Sequence, residues 1–383
     1  MDCAAAARLA AARRGLRDNP RAMSDAYAEA GVDTGASDRA VGALVDVLRT
    51  IDTGRASRSV LPSGHYAAVL EVAPNLGIAV GTDGVGSKLI VAEETGRYDT
   101  VGIDCIAMNV NDVLCVGAEP IAVLDYLAVE RADPAVMREL GTGLKAGAEA
   151  AGVEIPGGEV AVLPELIRGH PSPHGFDLTA ACLGTVALDR LVTGARAEPG
   201  DVLVGLPSSG LHSNGFTLAR RALLSDGGLR LDERPGELGG ASVADVLLEP
   251  TVIYVRAVLE LLRSGAADVR GLAHITGGGL LNLLRLHAAI GFELDAPLPV
   301  PPVFDLVREL GGVAEPEMWE VFNMGCGMVV VVPESDADAA VAALGRHHPR
   351  TARIGRVTGE ADRLALPGLG LAGGPAGLER AGG

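Results

Sequence analysis

Tyr66–Lys88 reads YAAVLEVAPNLGIAVGTDGVGSK. Two short apolar runs, Tyr66–Ala73 and Gly77–Thr82, flank Pro74-Asn75, and the pattern predicts a β-hairpin. The second run leads directly into Gly81-Thr82-Asp83-Gly84-Val85-Gly86-Ser87-Lys88. Its closely spaced glycines let backbone N–H groups crowd around an anion, while the hydroxyls and Lys88 add donors and charge. The Gly-Lys-Ser/Thr order of a Walker A loop is absent, as is GxGxxG, so neither of those phosphate loops applies. A plain Gly-rich turn and a phosphate cradle both fit the loop alone. Asp83 makes sense beside a phosphate mainly with Mg²⁺ between them.

Downstream, apolar residues at Ile103, Ile106, Val110, Val113 and Leu114 predict a helix over Thr100–Val116. Asp104, Asn109, Asn111 and Asp112 interrupt it, and Asn109 and Asp112, three apart, share one stripe. Polar groups on so apolar a helix need partners. Two readings stand: hydrogen bonds within a domain interface, or, with Asp83 nearby, a carboxylate pair on hydrated Mg²⁺. Ile121–Val129 reads as a strand, Asp133-Pro134 as the N-cap and first turn of a helix to Ala151, and Asp177–Leu188 as a strand. After Gly194 the pattern restarts with strand Asp201–Leu206 and helices Gly215–Leu224 and Thr251–Leu262. Strand Leu272–Ile275 and helix Leu280–His287 follow. Helix Val303–Leu310, strand Met328–Val332, helix Ser335–Leu344 and strand Arg350–Thr358 close it. The expectation is two α+β domains, 23–192 and 193–366. Residues 1–22, Ala/Arg-rich without an apolar h-region, are expected to be an upstream start or a disordered tail. The Gly-rich stretch 367–383 is expected to hold no fixed structure.

The chain has 383 residues, 48% of them hydrophobic, and a net charge of −17. That length can bury a sizeable core. The acidic balance gives no support to binding of nucleic acid or anionic membranes, so any phosphate site must be local. No apolar run is long enough for a spanning helix. Cys3, Cys105, Cys115, Cys182 and Cys326 are scattered without CxxC and read as reduced core thiols. Of 32 Lys and Arg side chains only Lys88 and Lys145 are lysines. Lys145 reads as an exposed helix position, whereas Lys88 invites a function.

Three further turns carry chemistry-bearing residues. Pro156-Gly157-Gly158-Glu159 places two glycines before a lone acid. Ser208-Ser209-Gly210-Leu211-His212-Ser213-Asn214-Gly215 is dense in hydroxyls and opens a helix, where N–H groups favour an anion. His212 there reads as a general acid or base, or as a donor to phosphate. His274-Ile275-Thr276-Gly277-Gly278-Gly279 is again strand, Gly-rich turn and helix. So many phosphate turns suggest ATP and a second phosphorylated ligand.

GTDGVGSK, NDVLCVGAEP, GGE, SSGLHSNGF, HITGGG and FNMGCGM, in this order and spacing, resemble the aminoimidazole ribonucleotide synthetases (phosphoribosylformylglycinamidine cyclo-ligases). Tyr27–Asp33 is similar to that family's opening, and the likeness spans roughly residues 24–360. The wider superfamily includes selenophosphate synthetase, thiamine-phosphate kinase and hydrogenase maturation enzymes. The resemblance implies a cytoplasmic homodimer. An N-terminal ATP-binding domain with a mixed sheet and helices pairs across the dimer, and a C-terminal α/β sandwich follows. It implies ATP and Mg²⁺, with Asp83, Asp112 and Glu159 on the metal. Gly81, Thr82, Gly84, Gly86, Ser87, Lys88, Asn109, Asp112 and Glu159 would lie on ATP. Ser208, Ser209, Gly210, His212, Ser213, Asn214, Thr276, Gly277 and Gly278 would lie on the phosphoribosylated formylglycinamidine. His212, Lys88 and Asp83 are the expected catalytic residues. The chain departs from the family at Val160 and Val162, where a hydroxyl and an acid are usual, and at Leu61–Tyr66, where a Gly-rich flap is usual. There His65 could take over substrate contacts. A related enzyme acting on another amide or acid, and a non-turning-over nucleotide-binding relative, stand as alternatives; retention of HSNGF and HITGGG argues against the first.

Overall fold

The computed structural model describes residues 26–32, 34–286 and 289–381, so the segment 1–22 lies outside the described residues. β1 (Ala68–Ala73) and β2 (Leu76–Gly84) form the expected hairpin, with Asn75 at φ 58° in the turn. They continue into a five-stranded mixed sheet of order β1-β2-β5-β3-β4, with β3 Glu119–Val129, β4 Glu154–Val162 and β5 Phe176–Ala187. Only the β3–β4 pair is parallel. A parallel pair needs a crossover, and a helix supplies it here.

After α1 (Thr34–Leu48), this unit contains α2 (Lys88–Thr95), α3 (Val101–Leu114) and α4 (Pro134–Ala151). α4 is the crossover; the Asp133 side chain caps Ala135 N, Pro134 opens the helix, and Gly152 at φ 74° closes it. α3 packs against α4 and on β2, β3 and β5. A Cβ on Gly102 would fall 2.3 Å from Leu144 N, and one on Gly143 2.4 Å from Asp99 O, so both glycines are required by the close helix approach. The other face of the sheet has no such cover: Leu70, Leu76, Leu124 and Tyr126 are each 40–44% exposed.

The second unit is built on an eight-stranded sheet of order β13-β12-β11-β8-β10-β6-β9-β7. Its strands are β6 Val202–Pro207, β7 Gly271–His274, β8 Gly291–Glu293, β9 Cys326–Val332, β10 Ala352–Thr358, β11 Leu364–Leu366, β12 Leu371–Gly374 and β13 Gly377–Arg380. β7 and β9 are wholly buried, as the apolar run of β9 requires, and β7 carries the buried His274 at its end. α5 (Val255–Ser264) and α7 (Ala337–Gly345) pack on one another, and α6 (Pro302–Gly311) lies against the turn that follows Phe216–Arg220.

Four expectations need correction. The stretch 367–383 was expected to lack fixed structure; instead β12 and β13 form a hairpin on β11, burying Leu371 and Leu378. Its glycines serve the hairpin, and the spaced leucines anchor it. The helix expected from Thr251 begins at Val255, because the backbone of 251–254 bonds to another element. The α-helix expected over Leu280–His287 is a 3-10 helix, Gly279–Arg285. The one expected over Gly215–Leu224 is α only for Phe216–Arg220 and then turns π.

Candidate active site

Strand pairing aligns Asp83, Ala180, Asp125 and Gly158 in one row, and Gly84, Thr179, Tyr126 and Glu159 in the next. Adjacent rows point to opposite faces. Asp83 and Asp125 therefore share the helix-covered face, where a Cβ on Gly158 would meet Asp125 Oδ1 at 2.3 Å. Glu159 points to the other face, beside Tyr126. Within one chain it does not join Asp83, so the expected Asp83–Asp112–Glu159 set is not assembled. Among the described residues no three His, Cys, Asp or Glu side chains converge as a metal cage. Val160 and Val162 pair with Leu127 and Val129 and are about half exposed at the sheet edge.

Asp83 is held by α3. Asn109 Oδ1 accepts from Asp83 N at 3.0 Å, and Asn109 Nδ2 donates to Asp83 O at 3.1 Å and to Cys105 O at 2.9 Å. Gly84 N donates to the Asp83 carboxylate at 2.7 Å. Burial, then the charge of nearby Asp112, raises the Asp83 carboxyl above its ordinary range; the Gly84 bond, His274 and Arg285 oppose this. Two crowded carboxylates favour a divalent cation between them. Asp112 is oriented by buried His274, whose Nδ1 lies 2.8 Å from Asp112 Oδ1. His274 Nε2 is 3.4 Å from Asn111 Nδ2, so a proton on Nδ1 suits both contacts. Asp125 and Arg285 escape a search for loop motifs, whereas His274 carries a signal as the first residue of HITGGG.

The Gly-rich loop and the HSNGF turn meet. Ser213 Oγ donates to Val85 O at 2.8 Å, and Ser87 Oγ lies 3.1 Å from Thr217 Oγ1. Lys88, expected on phosphate, is instead fully buried. Its Nζ lies 2.8 Å from Asp104 Oδ2 and donates to His212 O at 3.0 Å and Glu249 O at 2.7 Å. Burial pulls the Lys88 pKa down and pushes that of Asp104 up, each opposed by the other's charge.

His212, expected as a donor to the reacting ribotide, is 1% exposed with φ 62°. Its Nε2 accepts from Ser209 N at 3.3 Å and Val252 N at 3.5 Å, which is the work of a turn cap. Burial, reinforced by His274 and Lys88, holds its pKa well below 6.5, so at neutral pH it is an uncharged ring and not a general acid. Ser208 and Ser209 also spend their hydroxyls inside the fold, on Asn323 Oδ1 at 2.8 Å and Pro250 O at 2.6 Å. Asn323 Nδ2 in turn holds Gly210 O at 2.8 Å. This accounts for FNMGCGM: Asn323 supports the serine turn, and Gly327 leaves room for Tyr254 and His212, since a Cβ there would fall 1.9 Å from the Tyr254 hydroxyl.

Partly open groups around the loops are Thr82, Asp83, Gly84, Gly86, Ser87, Asp112, Asn214, Gly277 and Arg285, with Gly81 behind them in β2. Thr82 Oγ1 donates to Ala180 O at 2.8 Å. Thr276 is 9% exposed, and Gly278, at φ 100°, has its own neighbour Asn282 donating to Gly277 O and Gly279 O. The Leu61–Tyr66 segment reaches the same turn: Tyr66 OH donates to Asn282 O at 2.8 Å, and the Arg285 guanidinium lies 5.3 Å from the Tyr66 ring. His65 accepts from Tyr66 N at 2.9 Å and packs edge-on to that ring. A separate cavity of about 920 Å³, lined by Glu119, Arg190, Arg196, Arg263 and Asp268, contains none of these residues.

Residues 64–186 match the family model described as AIR synthase related protein, N-terminal domain, and residues 198–365 match its C-terminal counterpart. The phosphoribosylformylglycinamidine cyclo-ligase of Methanothermobacter thermautotrophicus is 49% identical over 345 residues, 89% of this chain and 96% of that one. That of Thermococcus kodakarensis is 46% identical over 337 residues, 87% of this chain and 96% of the other. Among solved structures, AaThiL complexed with AMPPCP and TMP aligns with a TM-score of 0.57 at 18% identity, covering 85% of this chain and 92% of that one. Hydrogenase maturation protein HypE in complex with ATP aligns at 0.55 and 22% identity, covering 78% and 84%. The chain therefore belongs to the phosphoribosylformylglycinamidine cyclo-ligase family, on a fold shared with the wider group of AIR synthase related proteins.

Proposed function

We propose that the protein carries out the ATP-dependent ring closure of formylglycinamidine ribonucleotide to 5-aminoimidazole ribonucleotide, releasing ADP and phosphate, in purine biosynthesis. The observation that carries this reading is near-half identity to cyclo-ligases over almost the whole length of both chains. In this reaction the formamide oxygen takes the terminal phosphoryl group of ATP. The amidine-side nitrogen then attacks that carbon, loses a proton, and the C–O bond breaks to release phosphate. No covalent enzyme nucleophile is required, and positioning with charge neutralisation supplies most of the catalysis.

Asp83 and Asp112 are the residues suited to hold Mg²⁺, as the raised Asp83 pKa beside a second carboxylate supports. When bound, the ion neutralises phosphate charge. Asn109 fixes the backbone of Asp83, His274 orients Asp112, and the partly open Gly86–Ser87 turn offers backbone N–H groups to phosphate, those of Gly84 and Val85 being bonded to the Asp83 carboxylate and Leu178 O. Asn214, Thr276 and Gly277 border the side of the site assigned to the ribotide. The uncovered sheet face with Leu124 and Tyr126 supports a homodimer, and Glu159 lies on that same face. No described helix is long and apolar enough to cross a membrane. Incubation with ATP, Mg²⁺ and formylglycinamidine ribonucleotide should yield aminoimidazole and one phosphate per ring closed. ATP binding with no product would identify a non-turning-over relative instead.

A further inference from the structure

The polar residues of α3 serve two different neighbours. Asn109 and Asp112 face the carboxylate site, whereas Asp104 and Asn111, seven apart and so on one stripe, face residues 249–254 of the other unit. Asp104 Oδ1 accepts from Thr251 N at 2.8 Å and Thr251 Oγ1 at 2.6 Å. Asn111 donates to Val252 O at 2.9 Å and accepts from Tyr254 N at 3.1 Å. Lys88 completes the contact. An ammonium has three N–H bonds, and here three oxygens surround it: Asp104 Oδ2, His212 O and Glu249 O. Neither side chain of the ion pair is exposed to solvent at all.

We propose that Lys88 and Asp104 are positioning residues, a buried ion pair that clasps the His212 turn and the Glu249–Tyr254 segment onto the loop carrying Asp83. The pair thereby sets the separation of the two halves of the site. Lys88 begins α2 directly after the Gly-rich loop, and the Ser213–Val85 and Ser87–Thr217 contacts flank it. Dispersion or an apolar pair could join two domains, but only directional, charge-assisted bonds fix which carbonyl meets which donor. A buried pair adds little net stability, while removal of one partner strands the other charge.

This role rests on the ring-closure reading. Lys88→Met and Asp104→Asn should each lower kcat by about tenfold or more, with the Kd of a non-hydrolysable ATP analogue changed by less than about threefold. Amide exchange at Thr251 and Tyr254 should accelerate in both. The double variant Lys88→Met/Asp104→Asn keeps an oxygen for Thr251 and leaves no charge stranded, so it should recover kcat above either single. Should Lys88→Met fail to fold, Thr251→Val, which removes one donor to Asp104, should lower kcat with the same unchanged Kd. The clasp is overturned if Lys88→Met weakens the analogue more than about tenfold while Asp104→Asn and Thr251→Val leave kcat intact. It is also overturned by simple additivity in the double variant. If the wild-type chain makes no aminoimidazole, the reaction reading fails, and exchange at Thr251 in Asp104→Asn still decides the clasp.

Discussion

Asp83 and Asp112 carry the charges that the proposed Mg²⁺·ATP site depends on, so charge rather than shape should control activity there. Asp83→Asn and Asp112→Asn should each reduce turnover by roughly 10²–10³ while leaving thermal unfolding nearly unchanged. Normal turnover of either variant at limiting Mg²⁺ would remove that residue from the metal. His212 predicts a different measurement. Its folded pKa lies well below the ordinary 6.5, so as pH falls the unfolded chain takes up a proton that the native ring refuses. Its stabilising contribution is complete above about pH 6.5 and is lost below it, at up to about 1.4 kcal/mol per pH unit. Denaturant melts at pH 7 and pH 5 should show a smaller acid loss in His212→Asn than in the wild type. Equal losses would show that the ring is charged in the fold. The thiols behave as core groups: Cys105, Cys115, Cys182 and Cys326 are free and buried, and burial pushes Cys182 and Cys326 up to about 12.

At the scale of elements, the C-terminal hairpin is the place where composition misled. β12 and β13 extend the second sheet past β11, and Leu371 and Leu378 lie 1% and 5% exposed. Glu320 also accepts from Leu378 N, tying the hairpin to the helix Glu315–Val321. A chain ending at residue 367 loses both buried leucines and leaves β11 as an unpaired edge. It should be less stable by at least about 2 kcal/mol and more prone to aggregate. An unchanged midpoint in urea would show that the hairpin adds nothing.

For the whole molecule, the two units meet through polar contacts: Lys88 and Asp104 with residues 212 and 249–251, Asn111 with residues 252 and 254, and Asp112 with His274. The N-terminal sheet, by contrast, leaves Leu70, Leu76, Leu124 and Tyr126 uncovered. Apolar sheet faces of this kind mark association surfaces. Leu124→Asp/Tyr126→Asp should halve the mass measured by light scattering, without loss of helical circular dichroism. A wild-type chain that already sediments as a monomer would refute the homodimer.

Local pattern was enough for most of the framework. The hairpin at Pro74-Asn75, the capped helix from Pro134, the restart after the first sheet and the family itself were all legible, because turn chemistry, periodicity and motif order are properties of neighbouring residues. The Gly-rich loop also brought Asp83 into view, and the polar breaks in an apolar helix brought Asn109 and Asp112. Tertiary structure alone decided what each polar group does. Lys88, His212, Ser208 and Ser209 look like ligand contacts in sequence, yet Lys88 Nζ, His212 Nε2 and both serine hydroxyls are taken up by partners that the fold brings together, some in the same turn and some far along the chain. Glu159 follows GG as a site acid should, yet the two-residue period of β4 turns it to the opposite face from Asp83. A hydrogen bond is satisfied by whichever partner the fold brings within about 3 Å, and that choice is not written in local spacing.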